Sequence, residues 1–145
     1  MFENEECWIL TGSRPSIFSP WKATKLIDTR TTGRPTRVEF DPYWVLDRQK
    51  KEKDIVGFMH THPNMAAIPS IIDDATMYSW VCCFGKPLLC AIIGHDGLKF
   101  WLYKDDESPA ILLSHKLRND KVYLVKDDTS FYKKVKNWTL MKGRK

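Results

Sequence analysis

The stretch Gly57–Asp73, GFMHTHPNMAAIPSIID, constrains this chain more than any other part of it. Ahead of the histidines, Asp54 to Met59 is apolar and β-prone, which predicts a buried strand running into His60. Side chains two apart in a strand share a face. His60 and His62 therefore point the same way, Thr61 points opposite, and Pro63 stops the ladder. After a short loop, Pro69-Ser70 opens a helix predicted to run to about Phe84. Asp73 falls one helical turn after Ser70, on the same face. A strand end and a helix start thus concentrate His60, His62, Ser70 and Asp73 within fourteen residues.

Two imidazoles and a carboxylate suit a catalytic zinc ion, which takes three protein ligands and leaves its fourth position to water. Bound zinc lowers the pKa of that water to roughly 7. Each piece also has an ordinary explanation. A His-x-His pair is commonly surface or core decoration, and Ser-x-x-Asp ahead of an apolar run reads as a capping box. The roles can coexist, with Ser70 near the helix start while Asp73 turns to a metal. The joint spacing, His-x-His-Pro, five residues, then Pro-Ser-x-x-Asp, is what favours a metal site.

That spacing resembles the motif of the JAMM (MPN+) zinc metalloprotease family, and Pro69 before Ser70 resembles its prokaryotic JAB-type branch. The resemblance covers roughly residues 5 to 103. It implies His60, His62 and Asp73 as ligands of one Zn2+ per chain, with Ser70 as the catalytic serine beside the metal water. The family also carries an upstream glutamate as general base. Here Glu5-Glu6-Cys7-Trp8-Ile9-Leu10-Thr11-Gly12 occupies that place, and counting back from Gly12 puts Glu5 at the position. Trp8 departs from the pattern, which often has glycine there, and few residues precede Glu5. Glu3, Glu6 and Glu39 are the rival carboxylates. In a strand from Glu5 onward, only one of Glu5 and Glu6 can face the site.

A chain of 145 residues is long enough for one domain with a real core, so residues 1–145 are expected to form a single domain. No apolar run reaches eighteen residues, and the acidic start is unlike a signal peptide; a cytoplasmic protein is expected. Cys7, Cys82, Cys83 and Cys90 form no Cys-x-x-Cys pair, and each sits in an apolar run that suits a buried, reduced thiol. The net charge of +5 gathers in a basic tail from about residue 133. A solvated helix end explains the tail; contact with an acidic partner or nucleic acid is the alternative, which no nucleic-acid motif supports. His95, in a tight turn, and His115, beside Ser114 and Lys116, read as surface residues.

In chain order, strands are predicted over Cys7–Thr11, Ala23–Thr29 and Arg37–Phe40, with a turn at Arg30–Pro35 around Gly33. Asp41-Pro42 caps a helix over Tyr43–Lys51. Beyond the motif helix, Leu88–Ile93 reads as a central strand, Gly94–Gly97 as a hairpin turn and Leu98–Tyr103 as its partner. Ala110–Leu117 and Lys121–Val125 are either two strands or a short helix and a strand. Phe131–Met141 reads as a final helix. The pattern predicts an α+β or three-layer α/β domain with a mixed, mostly antiparallel sheet flanked by helices. The resemblance implies the same, a cytidine-deaminase-like arrangement.

Three functions follow. One is a zinc isopeptidase or peptidase that removes a ubiquitin or ubiquitin-like protein from a lysine, or trims its C-terminal tail. Its partners would be ubiquitin-like proteins or their conjugates, with E1-like and E2-like enzymes of the same operon. The second is a catalytically inactive MPN-type scaffold or binding module. The third is a deaminase-like zinc hydrolase, which needs a Pro-Cys-x-x-Cys set that this sequence lacks.

Overall fold

The computed structural model describes residues 5–16, 19–32, 41–105 and 107–127. Their elements in order are β1 (Glu6–Ser13), β2 (Trp21–Thr32), α1 (Pro42–Glu52), β3 (Ile55–Thr61), α2 (Ile71–Phe84), β4 (Leu88–Gly94), β5 (Gly97–Tyr103), β6 (Ile111–Arg118) and β7 (Val122–Lys126). Every strand pairs on both edges, in the order β1-β2-β7-β6-β5-β4-β3, and β3 returns to β1. The pair β3–β4 is parallel and the others are antiparallel.

The sheet therefore closes into a barrel, and the expected three-layer α/β arrangement is wrong. The pairing is mixed and mostly antiparallel as expected; the layering is not. The reason lies in strands buried on both faces, such as Ile55–Met59 and Leu88–Ile92. Such runs read as strands with helices above and below. Here one face fills the barrel, with Trp8, Leu10, Met59, Leu89, Ala91, Phe100 and Val125 packed together. The other carries Ile9, Phe58, Leu88, Cys90, Ile92 and Tyr103 against Val45 of α1 and Met77 and Val81 of α2. Closure leaves the described strands without a free edge. It relies on β2, twelve residues long, which pairs with β1 and gives its start to β7 across Trp21–Thr24.

Local signals hold at most other points. Asp41 caps α1 by accepting from the Tyr43 N–H at 3.0 Å. The two readings of the later segment resolve to two strands, joined at Asn119 and Asp120, both with left-handed φ (53° and 61°). Asn and Asp tolerate that conformation, which makes this a hairpin signal. β2 continues through Arg30, where a turn is predicted. The strand at 37–40, the helix at 131–141 and the basic tail lie outside the described residues. No described helix is long and apolar enough to cross a membrane.

Candidate metal centre

The site forms where β3 ends and α2 begins. Phe58 and His60 share the barrel's outer face, and His62 continues that alternation just past the strand. His60 and His62 are only 8% and 4% exposed. Ser70 is the N-cap of α2: its Oγ accepts from the Asp73 N–H at 3.0 Å, and Asp73 Oδ2 accepts from the Ser70 N–H at 2.9 Å. The capping box is real, and it also aims Asp73 at the histidines. Asp73 Oδ2 lies 2.9 Å from His62 Nε2, and Oδ1 lies 3.3 Å from His60 Nε2. The two Nε2 atoms are 3.1 Å apart.

These three residues can hold a metal ion, since one ligand atom from each lies within 4.8 Å of the others. At bond lengths of roughly 2.0–2.2 Å, the edge of a tetrahedron around zinc is about 3.4 Å, close to the spacings found here. The donor set of two nitrogens and one oxygen also suits zinc. The His62 tautomer is pinned from behind: its Nδ1 lies 3.0 Å from the Ala66 carbonyl, so it donates there and leaves Nε2 for an ion. His60 Nδ1 faces the buried Cys90 thiol, 4.0 Å away.

Charge follows the same geometry. Burial would raise the Asp73 carboxyl, but hydrogen bonds with His60 and His62 hold it far below the carboxylate range. Burial would likewise lower His62, yet its bonds to Asp73 and the Ala66 carbonyl push it up. Glu5 is buried, and the Glu6 N–H donates to Thr61 Oγ1 at 2.8 Å, tying this end of the chain to the end of β3. Cys7 pairs with His60 in the antiparallel register, and Glu5, two residues before Cys7, shares its alternation and interacts electrostatically with His60, Asp73 and His62. Burial raises the Glu5 carboxyl, with His60 and His62 pulling down and Asp73 pushing up. Glu6 alternates to the other face. Glu3 and Glu39 lie outside the described residues.

What the sequence leaves unread is the support of the loop that carries His62. The β4–β5 hairpin grips it along its length. The His62 N–H donates to the Ile93 carbonyl at 2.8 Å, and the His95 N–H donates to the Met65 carbonyl at 2.9 Å. Asp96 Oδ1 accepts from the Ala67 N–H at 2.8 Å, and Trp101 Nε1 donates to the Ala67 carbonyl at 2.9 Å. Gly94 is needed for this approach: a Cβ there would sit 2.4 Å from Ala67 N and 2.6 Å from Met65 O. The Asp96-Gly97 turn signal is visible in sequence, but nothing in it says that Asp96 reaches back to Ala67.

The remaining candidates fall away from the centre. His95 is exposed, as expected. His115 is half-buried rather than superficial, with its ring 4.9 Å from that of Phe100. Cys7 and Cys90 are buried free thiols, but Cys82 and Cys83 are exposed. α2 is apolar nearly all round, whereas only Met77 and Val81 are fully buried, so apolar neighbours do not imply burial.

A sequence profile of prokaryotic homologues of the JAB domain matches residues 1–104. The chain belongs to this family. The match spans the whole candidate centre and ends after β5; β6 and β7 lie beyond it yet close the barrel. A search of curated proteins returns no match.

Proposed function

We propose that this JAB-domain chain is a zinc-dependent isopeptidase or peptidase acting at the C-terminal tail of a ubiquitin-like protein. The observation that carries the reading is the convergence of His60, His62 and Asp73 with a buried carboxylate, Glu5, on one face. His60 Nε2, His62 Nε2 and Asp73 would hold the ion. Zinc, when bound, polarises the scissile carbonyl and makes water acidic enough to react near neutral pH. Glu5 accepts a proton from the attacking water at a carboxylate oxygen. It returns that proton to the leaving amine as the C–N bond breaks. Its raised pKa suits both tasks, because a strongly acidic carboxyl would hold the proton too weakly. Ser70 spends one lone pair on the Asp73 N–H and keeps its own O–H, which can donate to the oxyanion that develops on the substrate carbonyl.

The test is single-turnover cleavage of ubiquitin-like fusions and lysine-linked conjugates by the zinc-loaded chain. Glu5→Gln should bind zinc normally and cleave at least ~100-fold more slowly, the lower end of acid–base contributions. Wild-type rates for Glu5→Gln, together with a dead Glu6→Gln or Glu39→Gln, would move the base elsewhere. A zinc-loaded wild type that cleaves none of these substrates would leave the scaffold reading standing.

A further inference from the structure

On the far side of the first turn of α2 lies a cavity of about 300 Å³, lined by Pro69, Asp74, Tyr78, Trp101, Glu107 and Pro109 among others. Pro69 and Asp74 bracket Ser70–Asp73, so the cavity and the candidate metal centre share one helical turn. Asp73 faces the β3 histidines, whereas Asp74 faces β5, where its Oδ1 accepts from Tyr103 Oη at 2.5 Å. Among the described residues, two aromatic side chains, two carboxylates and no cationic side chain line the space.

Both carboxylates keep oxygens that the fold does not use. Asp105, close by, is fully used: it accepts from the Glu107 and Ser108 N–H groups and from Ser108 Oγ. The Glu107 carboxylate has no hydrogen bond or ion pair among the described residues, and Asp74 uses one oxygen, for Tyr103. The aromatic walls are fixed in place. Tyr78 Oη donates to the Ser108 carbonyl at 3.0 Å, and Trp101 Nε1 donates to the Ala67 carbonyl. Rigid aromatic walls beside carboxylates suit a cation with a long apolar stem.

We propose that this cavity takes a lysine or arginine side chain of the protein substrate, from a residue flanking the scissile bond, with Asp74 and Glu107 as its counter-charges. The idea rests on the peptidase reading for its substrate. It adds a requirement that the metal centre does not impose, a basic residue at a fixed distance from the bond cut.

The test reads binding without turnover, so it stands or falls apart from the cleavage assay. The full chain is titrated with acetyl-Ala-Arg-Ala-amide and with its neutral citrulline counterpart, following the Trp101 indole N–H by NMR. The arginine peptide should shift this resonance saturably and bind about tenfold more tightly, as a cation between aromatic and acidic groups requires. Glu107→Gln and Asp74→Asn should each reduce the preference. The Asp74→Asn side chain keeps an oxygen for Tyr103, and Glu107 is exposed, so at least one variant reports on the folded protein. Equal affinity for the two peptides, no saturable shift, or an undiminished preference in both variants would overturn the proposal.

Discussion

Replacing Gly94 with alanine should damage the metal centre without touching a ligand. The new Cβ would stand 2.4 Å from Ala67 N, 2.6 Å from Met65 O and 2.7 Å from Ala66 C, all of them backbone atoms. Ordinary contact begins near 3.4 Å, so the loop must retreat by about 1 Å. The Ala66 carbonyl moves with it, and its 3.0 Å contact with His62 Nδ1 stretches past hydrogen-bond range. Losing a partner of this kind weakens metal affinity by about 10–100-fold, equivalent to about 1.4–2.8 kcal/mol. Competition against a chromophoric chelator measures the zinc Kd, and a thermal melt measures the fold. Asp96→Asn is the matched control, because its amide oxygen still accepts from the Ala67 N–H. A Gly94→Ala protein with a lowered melting temperature but the wild-type zinc Kd would refute the claim that this loop orients His62.

Ser70→Ala should lose both a cap and a donor: about 1 kcal/mol of stability and on the order of 10²–10³ in rate. Ser70→Gly separates the two by denaturant melts and single-turnover rates, since glycine is a fair N-cap without a hydroxyl; full activity in the Ser70→Gly protein would make Ser70 a cap alone. Zinc affinity should rise with pH through the raised His62 pKa, above its ordinary 6.5, and then level off, because the ring proton competes with the ion. Metal-free protein should behave oppositely. The Asp73–His62 contact is fully stabilising below pH 6.5 and fades as pH rises through the raised value, so parallel melts with and without zinc should diverge on going alkaline.

The candidate centre was more legible in the sequence than the fold around it. His60 and His62 sit two apart on a strand, and Ser70 and Asp73 three apart at a helix start, so local geometry fixes much of their placement. Barrel closure depends on which distant strands pair. The apolar run Leu88–Ile92 is the same whether its inner face meets a helix or the far wall of a barrel. The hairpin support was hidden for a like reason: the contacts of Asp96 and Trp101 with Ala67 span 29 and 34 residues. Exposure along α2 was also hidden, because a helix apolar on most sides does not reveal which side is covered.

The proposed function requires His60, His62 and Asp73 to hold a zinc ion. Metal analysis of the purified chain beside its His62→Ala variant tests it most directly. Close to one zinc per wild-type chain, and none retained by a folded His62→Ala protein, is the predicted result. Full zinc occupancy in the His62→Ala protein would contradict it.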